Sequence, residues 1–264
     1  MINLYWAYFR ISLLESLQYR FSILLWLLGN MLQPLIYFSV WHAVLVSRGG
    51  SIGGLSSGDF AAYYIIISFI NVATSSPFPY RIMEPIQSGR MANILLKPVH
   101  FLHTEIATSL GSRTLDMLFM VPPMLFFSFA FDATWTMSPL SVLLCLPAIV
   151  FASAIRLLIE GCIGTCAFWA IRAHGFNQAY YLLFFFASGQ AAPSGVLPAW
   201  LNTVTSFLPF RSMLQFPTDL LLNRVQAGEL AWGFLIQLLW IGLFAGLFAF
   251  LWKRGVRKFT AVGI

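Results

Sequence analysis

The stretch RIMEPIQSGRMANILLKPVHFLHTE, residues 81–105, is the longest interior run that apolar residues do not dominate. In a chain that is only 9% charged, it carries Arg81, Glu84, Arg90, Lys97, His100, His103 and Glu105. Apolar segments long enough to cross a bilayer lie on both sides of it. We therefore interpret residues 81–105 as a cytoplasmic loop that contains a short helix, and we expect this helix to dock onto a partner protein.

The composition is that of a membrane protein. Of the 264 residues, 59% are hydrophobic, and the mean hydropathy is +0.80. A soluble domain could not cover so much apolar surface. A membrane helix needs roughly 20 apolar residues, and the chain supplies about six such stretches. We predict an all-α polytopic membrane protein with six transmembrane helices in a single domain, residues 1–264.

The charged residues and the cysteines do not indicate a nucleic-acid or metal site. The net charge is +6, which basic residues in cytoplasmic loops explain without a nucleic-acid partner. Cys145, Cys162 and Cys166 all lie within apolar stretches, where small buried side chains are more common than ligands. His100 and His103 would share a helix face, but no third ligand accompanies them.

The apolar stretches divide the chain as follows. Residues 1–20 predict a helix lying in the membrane interface, with a simple extension of the first span as the alternative. The Gly/Ser-rich residues 47–59 predict an exposed connection. Prolines predict a kink at Pro34 and a disturbed last turn of the second span at Pro77 and Pro79. The predicted spans are about 21–46, 60–80, 106–131, 139–169, 178–188 and 230–252.

Residues 188–229 break the pattern of straight spans. Pro193, Pro198, Pro209 and Pro217 prevent a single straight helix, yet the segment is too apolar for a solvated loop. A pair of short re-entrant or interfacial helices fits, because irregular backbone is tolerated where it is buried in protein or lines a cavity.

The distribution of Lys and Arg predicts the orientation. Six spans place both termini on one side, with the 81–105 loop and a polar turn at 172–177. That side holds Arg10, Arg20, Arg81, Arg90, Lys97, Arg113, Arg172, Lys253, Arg254, Arg257 and Lys258, and the other holds Arg48, Arg211 and Arg224. Both termini are therefore predicted to be cytoplasmic, and residues 188–229 to face outward.

Two local motifs resemble those of a known family. The first is I-x-x-G-x-x-x-x-x-L-L-[RK]-P, formed by Ile86, Gly89, Leu95, Leu96, Lys97 and Pro98. The second is Ser188-Gly189, then Leu197-Pro198-x-Trp200-Leu201, Leu208-Pro209-Phe210 and Pro217. Together with the layout of spans, they resemble the permease subunit of ABC-2-type transporters, in the branch of short paired permeases with a separate ATPase. Arg90-Met91 depart from the acidic or polar residue and leucine of that pattern.

This resemblance implies a function for the whole chain. It implies an exporter in the bacterial plasma (inner) membrane, built from two permeases, identical or related, and two ABC ATPase subunits, surrounded by membrane lipids. No G-x-x-x-x-G-K-[ST] phosphate loop occurs in the sequence. We therefore expect no cofactor in this chain, which would not be an enzyme, and we expect ATP and Mg to bind in the partner ATPase.

The 81–105 loop carries the candidate coupling residues. On a helix after Gly89, an apolar stripe of Met91, Ile94 and Leu95 would need a cover. The ATPase is the functional interpretation, and the membrane surface is the alternative. The candidate ATPase-coupling residues are Glu84, Gly89, Arg90, Met91, Ile94, Leu95, Leu96, Lys97 and Pro98.

The candidate translocation path combines charges and aromatic residues. Arg156 and Glu160, spaced i, i+4 within a span, are either a structural ion pair or a gate. Aromatic residues crowd the outer half, where they line a passage or simply pack at the membrane interface. The candidate path residues are Phe184, Phe185, Ser188, Gln190, Arg156 and Glu160.

Two other classes of function remain as alternatives. An integral-membrane lipid-modifying enzyme would need a reactive constellation that the sequence does not show. An ion-coupled carrier would need an internal repeat and midplane charges. For the transporter, the substrate class (drug, lipid, glycolipid or peptide) is left open.

Overall fold

The computed structural model describes residues 2–18, 20–170 and 174–259, and within these ranges it contains helices and no β-strand. The first seven helices are α1 (Ile2–Gln18), α2 (Arg20–Ser47), α3 (Ser57–Thr74), α4 (Phe78–Gln87), the short α5 (Met91–Leu95), α6 (Phe101–Ala130) and α7 (Pro139–Thr165). They are followed by α8 (His174–Ala187), α9 (Ala199–Ser206), α10 (Pro209–Met213), α11 (Gln215–Leu221) and α12 (Ala227–Lys258). Single 3-10 turns occur at Cys166–Phe168 and Ser194–Val196.

Four helical segments in the described residues are long and apolar enough to cross a membrane: Ser57–Gln87, Phe101–Ala130, Pro139–Phe168 and Gly228–Lys258. The prediction of an all-helical, multi-pass membrane protein is therefore confirmed. The count of six spans stays a prediction, because α2 and α8 are not among these four. With 14 residues, α8 is about 21 Å long, which is shorter than a bilayer core.

α3 lies at the centre of the fold. Every residue from Phe60 to Ile67 is buried, so the helix has neighbours on all sides, as expected for a helix that is apolar all round. Most of these residues form one core cluster with residues of α7, α8 and α10. A second cluster, which we call the α4 cluster, joins Phe78, Ile82 and Met83 of α4 to α7 and α12.

The second predicted span is interrupted. α3 ends at Thr74, residues 75–77 are not helical, and α4 begins at Phe78. Pro77 lacks a backbone N–H and is tolerated before the first helical turn. The chain is therefore broken at Pro77, and Pro79 lies in the first turn of α4, instead of both prolines disturbing the last turn of one helix as predicted.

Residues 81–105, predicted to be a loop with one short helix, are largely helical. Residues 81–87 belong to α4 and residues 101–105 to α6, so the connection proper is 88–100, with α5 inside it. We call residues 88–100 the hairpin. Arg172, in the predicted polar turn 172–177, lies outside the described residues, and α8 begins at His174, so 174–177 are helical.

Residues 188–229 contain three short helices, α9 to α11. Phe210, Met213 and Leu214 are buried against α3 and α7. The Gln237 amide of α12 donates to the carbonyls of Ser212 in α10 (2.9 Å) and of Ala148 in α7 (3.0 Å), and so joins the three helices. The re-entrant placement of this segment in the membrane stays a prediction.

Gly189 occupies a position that a larger residue would strain. Its φ is +92°, and a Cβ atom there would lie 2.6 Å from the Tyr63 hydroxyl, which donates to the Gly189 carbonyl (2.8 Å). Gly189→Ala should lower the free energy of unfolding by about 1–3 kcal/mol, measured by reversible unfolding in mixed micelles. Gly195→Ala is the control, because nothing lies within 4 Å of its Cβ position. An equal effect of both substitutions would contradict the prediction.

Candidate functional site

A buried ion pair joins α7 to the end of α3. Arg156 and Glu160 are 4% and 0% exposed, and their Nε and Oε1 atoms are 3.0 Å apart. Arg156 Nη1 also donates to the side-chain oxygens of Asn71 (2.8 Å) and Thr74 (3.1 Å). The guanidinium lies over the ring of Phe184, 4.6 Å from its centroid. The predicted i, i+4 pairing is therefore confirmed.

Two arginines satisfy carbonyl groups where α3 ends. Arg156 Nη1 donates to the Asn71 carbonyl (3.2 Å), and Arg113 Nε donates to the Ser75 carbonyl (2.7 Å). The last carbonyls of a helix lack intrahelical donors and carry partial negative charge, so cations are favourable there. Asp116 lies one helical turn after Arg113, a spacing at which the two side chains are predicted to pair, but the Nε atom of Arg113 instead donates to the broken end of α3.

A second polar cluster holds the other side of the break. The buried Glu105 carboxylate accepts from Arg81 (3.1 Å), Ser76 (3.3 Å) and Ser109 (2.9 Å). Glu105 therefore faces the interior of this chain. The break at residues 75–77 is a defined polar joint between α3, α6 and α7.

An open cleft lies beside this joint, between α2, α3 and α6. Its polar lining consists of Asn30, Gln33, Tyr37, Tyr64, Ser68, Asn71 and Gln190. Gln33 is exposed in the middle of α2. A polar amide facing lipid would be costly in the span that α2 is predicted to form, so its exposure favours a partner or a pathway there. We call this site the polar cleft.

The structure places one predicted path residue in the lining of the polar cleft and two more in contact with that lining. Gln190 lines it, and Phe185 contacts its Tyr37, with 5.3 Å between ring centroids. Arg156 reaches it through Asn71, and Glu160 and Phe184 contact Arg156. Ser188 is fully buried, and its hydroxyl lacks a hydrogen-bond partner among the described residues.

The polar lining on α2 and α3 was not predicted from the sequence. Asn30, Gln33 and Tyr37 recur at spacings of three and four, and so do Tyr64, Ser68 and Asn71. Such spacing places each set on one helix face. Polar residues that repeat on one face of an apolar helix can indicate a polar cleft. The pattern is easy to overlook when these side chains are uncharged.

The hairpin extends the α4 helix beyond the core. Gly89 turns the chain with φ +75°, and α5 follows. Glu84 and Arg90 form an exposed ion pair across the turn, and Arg90 also donates to Ser88 (3.2 Å). Exposed pairs of this kind contribute little stability.

The two sides of the hairpin have different environments. Leu96 is 84% exposed and Leu95 37%, and Lys97 and Pro98 are also exposed. Met91 is 0% exposed and belongs to the α4 cluster, and Ile94 packs against that cluster. Met91 was predicted to belong to the apolar stripe that docks onto the ATPase. It is instead covered by this chain, because α4 brings the start of α5 back onto α7 and α12.

The end of the hairpin is fixed by aromatic contacts. His100 packs on Trp252 of α12, with ring centroids 5.3 Å apart, and its ring nitrogen accepts from the Leu102 backbone N–H (3.2 Å). Burial, and then the nearby His103, lower the pKa of His100. A neutral imidazole is the form that can accept this hydrogen bond.

Together, the long apolar helices, the polar joint and the exposed hairpin define a multi-pass helical membrane protein. A family model described as ABC-2 family transporter protein matches residues 28–263. The chain belongs to this family of ABC transporter membrane components. No curated protein matches the chain.

Proposed function

We propose that the chain is the permease subunit of an ATP-driven ABC exporter, powered by separate ATPase subunits. Two permeases, identical or related, form the path and bind two ATPases. The complex lies in a bacterial inner membrane, with six spans per permease and both termini in the cytoplasm. It moves a hydrophobic or amphipathic substrate out of the cytoplasm or the inner leaflet.

The main support for this proposal is that one side of the hairpin is buried in this chain and the other side is exposed. Met91 anchors it in the α4 cluster, while Leu95 and Leu96 expose apolar surface beside Arg90 and Lys97. An exposed apolar surface rimmed by charges is typical of a protein interface. The anchor makes the hairpin move together with α4, as transmission of force from an ATPase would require.

A force applied to the hairpin would act at the joint at residues 75–77. ATP-driven closure of the ATPases would push the hairpin, and α4 would move against α3 at the joint. Because Asn71 both binds Arg156 and lines the polar cleft, the same movement would reshape the cleft. ATP binding would thus shift the population between inward-facing and outward-facing states.

Co-purification tests the ATPase partnership. The full chain, tagged at its native locus, should bring down a soluble phosphate-loop ATPase. A Leu95→Asp/Leu96→Asp variant should lose that ATPase at least about tenfold, since two charges would face an apolar groove. Leu14→Asp, at an exposed position of α1, should retain it. If intact wild-type chain brings down no ATPase, the ABC proposal fails, and the lipid-enzyme and carrier alternatives return.

A further inference from the structure

We propose that the polar cleft and the apolar cleft beside it bind one uncharged, hydroxyl-bearing lipid, whose headgroup lies in the polar cleft and whose acyl chain lies in the apolar one. This substrate class rests on the proposed function. It follows from the chemistry of the two linings and from the residues they share.

The polar cleft is suited to an uncharged headgroup. None of its described lining residues is charged. Arg156, a cation that contacts this lining, is already bound by Glu160 and Asn71. An ionic headgroup would therefore lose its hydration without gaining a counter-ion, which is costly at membrane depth.

The amides of α2 offer free hydrogen-bonding capacity. Asn30 Nδ2 donates to the Trp26 carbonyl (2.8 Å) and Gln33 Nε2 to the Tyr37 hydroxyl (3.0 Å). Within the described residues, neither amide oxygen accepts a hydrogen bond. Pro34 adds a further acceptor, because it has no N–H to donate to the Asn30 carbonyl four residues earlier. The lining therefore offers free acceptors beside the unused N–H groups of its amides, and sugar or glycerol hydroxyls, which both donate and accept, are the neutral groups that satisfy both.

The apolar cleft adjoins the polar one. The two share Pro34, Tyr64 and Ser68, and the rest of the apolar lining comes from side chains such as Met31, Leu35 and Phe127. An alkyl chain attached to a headgroup in the polar cleft can pass Pro34 into this apolar space.

Photo-cross-linking in nanodiscs of phosphatidylcholine tests the assignment. The probe is a monoglycosyl diacylglycerol with a diazirine in one acyl chain, and the reference is phosphatidic acid with the same chain. We expect the glycolipid to label residues of the apolar cleft at least about fivefold more than the anionic probe, the ratio that one hydrogen-bonded headgroup supports. Equal labelling by both probes would overturn the inference.

Two pairs of variants separate headgroup from chain. Leu35→Trp fills the apolar cleft and should reduce labelling there about tenfold, whereas Leu32→Trp, exposed on the same helix, should change it less than about twofold. Gln33→Leu should abolish the preference for the neutral headgroup, and the exposed Gln226→Leu should keep it. Labelling confined to lipid-facing residues outside the clefts, or insensitive to Leu35→Trp, would refute the site. Because labelling needs no ATPase, failure here is distinct from failure to co-purify one.

Discussion

Arg156→Met should lower the free energy of unfolding by about 3–5 kcal/mol, the loss typical of a broken buried ion pair. Glu160, at 0% exposure, would keep a charge without its cation. Asn71 and Thr74 would lose their donor at the end of α3. The measurement is reversible unfolding of the purified chain in mixed micelles.

A double variant of the ion pair and a substitution of the exposed Arg254 serve as controls for Arg156→Met. Arg156→Met/Glu160→Gln should cost less than Arg156→Met alone, because no isolated charge remains. Arg254 also lies over a phenylalanine, 4.4 Å from the Phe250 centroid, but it is exposed. Arg254→Met should therefore cost no more than about 1 kcal/mol. Similar losses for Arg156→Met and Arg254→Met would show that the α7 pair does not hold the joint.

Met91→Asp and Leu96→Asp should separate folding from docking. Met91 is fully buried in the α4 cluster, so a carboxylate there should cost about 3 kcal/mol or more. Leu96 is 84% exposed, and its replacement should change the unfolding free energy by less than about 0.5 kcal/mol. The unfolding measurement in mixed micelles checks both values.

Binding of the ATPase gives the second readout for this pair. Leu96→Asp should lose the ATPase while remaining as stable as wild type. A conservative Met91→Leu should keep both stability and the ATPase, since volume-conserving core changes are tolerated. If Met91→Asp proves as stable as Leu96→Asp, Met91 is not an anchor and the hairpin is not two-sided.

Strong local signals in the sequence predicted much of this architecture. Long apolar runs predicted the helices at 106–131, 139–169 and 230–252, because burial in lipid needs continuous apolar length. The spacing of Arg156 and Glu160 predicted their ion pair, because residues four apart share a helix face. Family membership followed from motifs that include Gly89 and Pro98.

Features that depend on contacts between distant segments were not predicted. The partner of Arg113 is the Ser75 carbonyl, 38 positions away, and helix spacing suggested the nearer Asp116 instead. Met91 was assigned to an exposed stripe because periodicity shows that a face is apolar but not what covers it. The polar cleft needs α2, α3 and residue 190 together, and only the folded chain brings them to one place.

Cross-linking from position 96 is the most direct test of the central claim that this chain is driven through its hairpin by a separate ATPase. Benzoylphenylalanine would replace Leu96 in native membranes, with replacement of Leu14 on α1 as the control. We expect ultraviolet light to produce an adduct between the chain and a phosphate-loop ATPase from position 96 and not from position 14. Adducts with lipid alone from position 96, in an intact chain, would contradict the claim and place the hairpin on the membrane surface.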